Sequence, residues 1–281
     1  MRILLSLLFI VPFLACNRQE TDYAKWKSCQ DYSVPLFKDD FQNKSALLIF
    51  PHPDDEITCA GTILELKKSG WKVNLLTLTQ GSTPEEKAIR KEEWKNAVAV
   101  LGVDDAQILD LSNNTWDDVL ANKIDFWYDH GDSLERIIEH AISMYRPSLL
   151  ITYDTALGAY GHPEHRMSAL AAARVLSNHR EDSVFSVQKI LQMTIPQSME
   201  SELLISRESY LNAVKLTGNT TLPDPSVAFD ITPYWPLKRR AALEYTSQAH
   251  VLRKFYLLPE DEDTVMHYRT FDREYFFEIN R

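Results

Sequence analysis

The fold of this chain is constrained most by an alternation of short apolar runs and longer helical patterns that begins near residue 45. The run ALLIF at 46–50 is continuous and apolar, as in a strand that is buried on both faces. Strands are predicted at 46–50, 71–79, 107–111, 148–153, 189–195 and 227–231, and helices at 61–69, 85–101, 133–145, 163–178 and 235–257. Strands that alternate with helices imply right-handed crossovers. We therefore expect a single α/β domain, Rossmann-like, with a mostly parallel sheet flanked by helices.

Several residues mark the ends of these elements. Gly70 and Gly102 are placed to end two helices, and Ser133 is a plausible cap for the helix at 133–145. The aromatic-rich segment 268–279 is expected to pack onto the body of the domain. Sheets of this class place their functional loops at the carboxyl ends of the strands. The chemistry of the chain should therefore be sought directly after its buried strands.

The charge balance narrows the classes of function. The 281 residues include 30 Lys and Arg against 40 Asp and Glu, for a formal net charge of −10. A chain with this acidic balance is repelled by nucleic acid phosphates, which argues against a nucleic-acid partner. Hydrophobic residues make up 44% and charged residues 25% of the chain, which is ordinary for a well-cored globular protein.

The first fifteen residues have the pattern of an export signal. Arg2 precedes an apolar stretch at 3–14, which is too short to span a bilayer as a mature helix of roughly 20 apolar residues. The sequence FLAC at 13–16 resembles a bacterial lipoprotein box, in which Cys16 carries the lipid. We predict a signal peptide at 1–15, a tether at 16–43 and the folded domain at 44–281, exported to the cell envelope and anchored by lipid at Cys16. Plain secretion and an uncleaved anchor are the alternatives.

Two cysteines remain after Cys16, namely Cys29 and Cys59. An oxidising location permits a disulfide between them. Two unpaired thiols, with Cys59 in a packed helix, are the alternative.

The first candidate site is the sequence HPDDE at 52–56, directly after the first buried strand. One imidazole and three carboxylates are crowded beside an apolar strand, and a divalent cation would offset their repulsion. The alternative is a solvated turn in which Asp55 and Glu56 cap the next helix.

The second candidate site is the sequence YGHPEHR at 160–166, after another buried strand and its loop. His162 and His165 are three residues apart, and Pro163 suits the first position of a helix. That spacing lets both rings converge on one site. A lone histidine is more often a satisfied surface or core residue, but two histidines at the end of one strand and an acidic cluster at the end of another favour a metal centre.

Both clusters resemble the signature of the PIG-L/LmbE-like deacetylases, which pair a strand and HPDDE with a later HPDH. This chain has the first motif intact and has Glu164 where the family usually has Asp. Further similarity covers about residues 45 to 250, including TQG at 79–81, Arg90, Glu93, Lys238 and SQ at 247–248. Tyr245 stands where histidine is frequent, and Asn113 where an aspartate is common.

The resemblance implies a role for each matching residue. His52, Asp55 and His165 would bind Zn²⁺, or another divalent transition metal such as Fe²⁺. Asp54 would be the general base that takes a proton from the metal-bound water. A protonated His162 together with Tyr160 would stabilise the charge that develops on the acyl oxygen. Arg90 and Asn113 would contact the substrate.

The expected activity is therefore metal-dependent removal of an N-acetyl group from an amino sugar or glycoconjugate, and the expected partner is a small-molecule or glycan substrate. Two alternatives remain: another metal-dependent amide or phosphoester hydrolase, and a catalytically silent glycan-binding lipoprotein. Four aromatic residues could form a sugar-stacking rim or belong to the core: Trp116, Trp127, Tyr128 and Trp235. The sequence leaves the oligomeric state open.

Overall fold

The computed structural model describes residues 33–38, 40–41, 43–113, 117–118, 131–255, 257–259 and 264–281. The strands are β1 (Ser45–Phe50), β2 (Lys72–Thr77), β3 (Asp105–Ile108), β4 (Leu149–Tyr153), β5 (Lys189–Thr194), β6 (Val227–Asp230) and β7 (Arg273–Asn280). The helices are α1 (Ala60–Lys68), α2 (Pro84–Leu101), α3 (Gly131–Tyr145), α4 (Pro163–Asn178), α5 (Gln197–Leu203), α6 (Glu208–Thr217), α7 (Trp235–Leu243), α8 (Ala249–Lys254) and α9 (Thr264–Thr270). A short 3-10 turn, Asp55–Cys59, precedes α1.

The strands form one seven-stranded sheet in the order β3-β2-β1-β4-β5-β7-β6. The first five strands of that order pair in parallel, and β7 pairs antiparallel with both β5 and β6. The predicted single α/β domain with a mostly parallel, Rossmann-like sheet is therefore confirmed.

Strand β1 is the middle strand of the parallel part of the sheet, and its apolar side chains pack on both faces. Leu48 and Phe50 belong to the core on one face of the sheet, and Leu47 and Ile49 to the core on the other. All four are completely buried. This double burial explains why the strand reads as a continuous apolar run rather than as an alternating one.

Local signals placed several element ends correctly. Thr83 caps α2 by accepting a hydrogen bond from the Glu86 backbone N–H, and Pro84 occupies the first turn. Gly102 ends the same helix in the left-handed conformation. Helix α4 runs from Pro163 to Asn178, as predicted.

Other boundaries differ from the prediction. Strand β3 begins and ends earlier than the predicted 107–111, and Ser133 is not a cap because α3 already begins at Gly131. The predicted helix at 235–257 is two helices, α7 and α8, separated by a turn. Helices α5 and α6 were not predicted, and the C-terminal aromatic segment includes β7, which lies inside the sheet rather than on its surface.

The described part of the predicted tether at 16–43 packs against the domain. The Phe37 backbone N–H donates to the Ala228 carbonyl at 3.0 Å, and the Ala228 N–H donates to the Pro35 carbonyl at 2.9 Å. Val34 and Phe41 are buried. The folded body therefore extends back at least to Val34, before the predicted boundary at 44. The predicted signal peptide and Cys16 lie outside the described residues, within which no helix has the length and apolar character needed to cross a bilayer.

Candidate metal centre

The two histidine motifs meet at the carboxyl ends of β1 and β4, which are adjacent in the sheet. From β1 the chain first adds β2 and β3 on one side, and later adds β4 and β5 on the other. The boundary between β1 and β4 is thus the point where the strand order reverses, and open α/β sheets leave a crevice there. His52 follows β1, and His165 lies in the first turn of α4, so both face this crevice.

Three predicted metal ligands converge at the crevice with equal spacings. The Nδ1 atom of His52 lies 3.3 Å from Nε2 of His165 and 3.3 Å from Oδ2 of Asp55. The Nε2 atom of His165 lies 3.3 Å from Oδ1 of Asp55. Two nitrogen or oxygen ligands in a tetrahedral zinc site are also separated by about 3.3 Å, given metal distances of about 2.0–2.1 Å. The spacing of these donors therefore fits a single divalent ion.

Glu164 orients the first of these ligands. Its carboxylate Oε2 lies 2.6 Å from Nε2 of His52, and the Glu164 side chain is completely buried. This contact directs Nδ1 of the same ring toward Asp55 and His165, as carboxylates commonly do for metal-binding histidines. In the sequence Glu164 stands out only as a departure from the family motif, and no local pattern predicts this role. Its partner lies 112 residues away in the chain.

The ring of His165 is oriented by stacking. It lies parallel to the ring of Tyr153, with 3.8 Å between the ring centroids and 2° between their planes. The Tyr153 hydroxyl also donates a hydrogen bond to Oδ1 of Asp55 at 2.7 Å. Tyr153 therefore holds two of the three predicted ligands, a role that the sequence analysis missed because this residue reads as part of a buried strand.

The electrostatics of the crevice favour a positive charge. Burial lowers the pKa of His52, but the carboxylates of Asp55 and Glu164 outweigh burial and raise it to about 10. Burial raises the pKa of Asp55, but the two imidazoles of His165 and His52 hold it well below its usual value. The anionic side chains of this site are thus arranged to bind a cation.

Asp54, the predicted base, has a strained backbone beside these ligands. Its φ of 98° and ψ of −19° are uncommon for a residue with a side chain. Burial raises the pKa of Asp54 to about 7, and the positive charge of Arg90 opposes this rise. The Asp54 side chain is therefore poised to exchange a proton near neutral pH.

Arg90 contacts the base rather than open space. Its guanidinium donates to the Pro53 carbonyl at 2.6 Å and lies 3.4 Å from Oδ2 of Asp54. It is also 3.5 Å from Oε1 of Glu86. These contacts fix the loop that carries Asp54, and the predicted contact of Arg90 with a substrate remains a prediction.

Glu56 is neither solvated nor a cap for α1. It is completely buried, and its carboxylate accepts hydrogen bonds from the Tyr245 hydroxyl and, at 3.3 Å, from the Asp54 backbone N–H. The N–H groups at the start of α1 are instead satisfied by Glu274, which accepts from Gly61 at 3.0 Å and from Thr62 at 2.7 Å. The alternative of a solvated turn at 52–56 is therefore wrong.

The loop between β4 and α4 positions Tyr160 and His162. Buried Asp154 organises this loop by accepting from the Leu157 N–H at 2.7 Å and the Gly158 N–H at 3.3 Å. At Gly161 the φ of 93° and a backbone oxygen of Ser209, which would lie 2.4 Å from a Cβ atom, leave no room for a side chain. The loop places the Tyr160 hydroxyl 3.5 Å from Nε2 of His165.

His162 lies beside the three ligands, with its ring centroid 4.6 Å from that of His52. Its Nδ1 accepts from the Glu164 backbone N–H at 3.3 Å, and nitrogens of His52, His162 and His165 lie within 4.8 Å of one another. Asp55 makes the shorter contacts and is the better third ligand. Burial and the neighbouring imidazoles hold the pKa of His162 well below its usual value. This environment favours a neutral ring, in contrast with the protonated ring that the family resemblance implies.

Other predicted residues are not brought to the centre. Asn113 follows β3, and its Oδ1 is buried with no hydrogen-bond partner among the described residues. Trp235 stacks on Tyr268 with 5.2 Å between the centroids, whereas Trp116, Trp127 and Tyr128 lie outside the described residues. Cys59 is buried and forms no disulfide within the described part of the chain, and Cys29 lies outside it.

Comparison with protein families places both motifs in one matched region. The family described as GlcNAc-PI de-N-acetylase, PIG-L, matches residues 47–176. Among curated proteins, the probable N-acetyl-alpha-D-glucosaminyl L-malate deacetylase 2 of Bacillus anthracis is 25% identical over 73% of this chain and 81% of its own length. The diacetylchitobiose deacetylase of Thermococcus kodakarensis is 26% identical over 73% of this chain and 70% of its own length.

Solved structures share the fold at lower identity. The A40926 pseudoaglycone deacetylase is 17% identical, with a TM-score of 0.57 over 85% of this chain and 98% of that one. The 4-carboxy-2-hydroxymuconate hydratase of Pseudomonas putida is 15% identical, with a TM-score of 0.54 over 85% of this chain and 97% of that one. Since these two neighbours carry out different reactions, the fold alone does not identify the reaction.

Proposed function

We propose that this chain, whose residues 47–176 match the PIG-L family, hydrolyses the N-acetyl group of an amino sugar or glycoconjugate with the help of a divalent metal ion. The observation that carries the proposal is the set of 3.3 Å spacings among His52, Asp55 and His165, with Asp54 next to them in the chain. The relatives named as deacetylases of N-acetylglucosamine compounds support the choice of substrate.

His52, Asp55 and His165 would hold the ion, and zinc and ferrous iron both suit this set of donors. When bound, such an ion makes a water molecule acidic and polarises the acyl carbonyl. Glu164 keeps Nδ1 of His52 directed at the site. The donor set therefore fits the group that the family implies.

Asp54 takes a proton from the attacking water, whose oxygen forms a bond to the acetamide carbon. His162 and Tyr160 lie where they can face the acyl oxygen as negative charge develops on it. Asp54 then gives the proton to the leaving nitrogen as the C–N bond breaks. Acetate and a free amine are the products, and Arg90 keeps Asp54 in place throughout.

We further propose that the enzyme acts in the cell envelope, held there by a lipid on Cys16. The supporting feature is the N-terminal pattern of residues 1–16. Envelope or extracellular glycans and glycoconjugates would then be the accessible substrates.

The test is acetate release from N-acetylglucosamine, its β-1,4 dimer and N-acetylglucosaminyl conjugates, measured with zinc, with ferrous iron and with a chelator. We expect metal-dependent release, and we expect Asp54→Asn to lower kcat by about 10² to 10⁴-fold. Asp182→Asn, a change at a residue outside the site, is the matched control and should retain activity.

Other outcomes point to the alternatives. Hydrolysis of phosphoesters or N-acyl amino acids without release of acetate from the sugars would indicate a different metal-dependent hydrolase. Glycan binding with no turnover, unaffected by Asp54→Asn, would indicate a binding protein and contradict the proposal.

A further inference from the structure

A mostly apolar cavity of about 160 Å³ lies beside the metal centre. Tyr153 and Tyr160 line the cavity, and their hydroxyls reach the centre, at 2.7 Å from Oδ1 of Asp55 and 3.5 Å from Nε2 of His165 respectively. The same two side chains therefore border both the predicted reaction site and the cavity. Of the predicted catalytic set, Tyr160 forms part of the cavity wall, and Asp54 and His162 do not line it.

Most of the cavity wall is built from residues beyond 176, outside the stretch that the family matches. Apolar side chains of α5, α8 and the segments around them supply it, including Met199, Leu203, Leu204, Leu222 and Phe255. Three charged residues, Lys238, Arg273 and Glu274, also line the cavity. Lys238 and Glu274 form an ion pair in which Nζ lies 2.6 Å from Oε1, and the same Nζ lies 3.4 Å from the Thr58 carbonyl. The cavity is thus a feature of the C-terminal half of this chain and presents mainly hydrocarbon.

The cavity and the predicted sugar contacts lie on opposite sides of the metal centre. The cavity lies on the β5 and β7 side of the metal centre, since Met193, Thr194 and Tyr275 line it. Arg90 and Asn113, the predicted substrate contacts, belong to segments that follow β2 and β3, on the opposite side of β1. If the sugar lies toward β2 and β3, as these predicted contacts require, an amide whose carbonyl lies between β1 and β4 would direct its acyl group toward the cavity.

We propose that the natural substrate carries an N-acyl chain longer than acetyl, a hydrocarbon chain of about six carbons, and that this chain fills the cavity. The proposal rests on the proposed function and makes the enzyme an N-deacylase with acetyl as a short substrate. The chemistry is unchanged: water adds to the acyl carbon, the C–N bond breaks, and a fatty acid and an amine leave. An apolar cavity of about 150 Å³ accepts a group of benzene size, which sets the length.

The test is a series of N-acylglucosamines with acetyl, butanoyl, hexanoyl, octanoyl and decanoyl groups, assayed with the zinc-loaded protein. Each buried methylene should raise kcat/KM by about fourfold until the cavity is full. We expect a maximum near hexanoyl and a decline for decanoyl. A series in which acetyl is the best substrate would overturn the inference while leaving the proposed function intact.

Cavity-filling variants provide the structural control. Leu203→Phe and Leu222→Phe enter the cavity from two different segments and should lower the ratio of hexanoyl to acetyl kcat/KM by at least tenfold. Leu211→Phe, an identical change at a half-exposed position of α6 that does not line the cavity, should leave the ratio unchanged. The inference would be overturned if the ratio of hexanoyl to acetyl kcat/KM were the same in all three variants.

Two further experiments distinguish a failure of the inference from a failure of the proposed function. Calorimetric titration of the metal-free protein with sodium hexanoate and sodium acetate tests the cavity without catalysis, and only hexanoate should bind, with binding lost in Leu203→Phe. Hexyl N-acetylglucosaminide tests whether the cavity takes the aglycone instead, and a gain from this chain rather than from the acyl chain would overturn the inference. No hydrolysis of any acyl sugar by folded, zinc-loaded protein would overturn the proposed function itself.

Discussion

At the scale of single residues, the geometry of the site depends on buried side chains that form hydrogen bonds to the loop of the predicted base. Asp54 adopts a left-handed backbone conformation, and its N–H is held by Glu56, which is held in turn by Tyr245. Such strain persists only where the surroundings over-determine it. Tyr245 stands where the family often has histidine. Through its hydrogen bond to Glu56 it stabilises the loop that carries the predicted base.

Glu56 should make the stability of the metal-free protein depend on pH. Burial raises its pKa from 4.5 to about 8, so folding is favoured while Glu56 is protonated. This contribution is fully present below pH 4.5 and is lost as pH rises to about 8. Each unit of pKa shift corresponds to about 1.4 kcal/mol. Urea unfolding with a chelator present should show falling stability across that window.

Glu56→Gln should make this dependence less steep, because glutamine keeps the acceptor oxygen for Tyr245 and Asp54 and carries no charge. The exposed Glu92→Gln is the matched control and should reproduce the parent curve. Asp54 and His52, whose pKa values are also raised, are expected to leave a residual slope in this variant. A Glu56→Gln curve as steep as that of the parent protein would contradict the assignment.

At the scale of elements, the turn between α7 and α8 shows how a tertiary contact overrides a helical pattern. Glu93 of α2 accepts from the Thr246 hydroxyl at 2.8 Å, from the Ser247 N–H at 2.8 Å and from the Ser247 hydroxyl at 2.6 Å. These bonds can form only if the helix stops before Thr246. The apolar pattern across 235–257 is continuous in sequence, so it predicted a single helix there.

The start of α1 is held by a buried ion pair from the other end of the chain. Glu274 of β7 accepts from the first N–H groups of α1, and Lys238 of α7 balances its charge at 2.6 Å. Removing one partner of such a pair leaves an uncompensated buried charge, which typically costs about 3–5 kcal/mol.

We therefore expect Lys238→Met to lower the free energy of unfolding by about 3 kcal/mol, measured by urea denaturation. Adding Glu274→Gln to that variant should recover part of the loss, because the amide still accepts one bond and no charge remains buried. Lys95→Met removes an ion pair of the same 2.6 Å length at an exposed site and should change stability by less than about 1 kcal/mol. Equal losses in the two lysine variants would refute the role assigned to the buried pair.

At the scale of the whole molecule, the residues of the candidate metal centre come together because the sheet reverses its order between β1 and β4. The reversal brings together two motifs that are more than 100 residues apart. A bound ion would then link the two halves of the parallel sheet.

Metal binding should accordingly stabilise the whole fold. Zinc at a concentration of 100 times its Kd should add about 2.7 kcal/mol and raise the Tm in calorimetry. His165→Ala should abolish this shift, whereas His179→Ala, at a histidine outside the centre that pairs with Glu139, should retain it. A zinc-induced shift that survives His165→Ala would place the ion elsewhere.

The sequence by itself determined the α/β class, the boundaries of α4 and the end of α2. Through its two histidine motifs and the family that they resemble, it also predicted a ligand triad of His52, Asp55 and His165. These features depend on local patterns: continuous apolar runs, capping residues, and motifs that directly follow buried strands. Such patterns act over a few residues and are legible without the rest of the chain.

The tertiary structure alone decided which distant side chains meet. It paired Glu164 with His52 and Glu93 with the turn after α7, inserted β7 between β5 and β6, and formed the apolar cavity beside the metal centre. The physical reason is that each contact depends on the order of strands in the completed sheet. That order is set by the packing of the whole chain and leaves no signal in a local stretch of sequence.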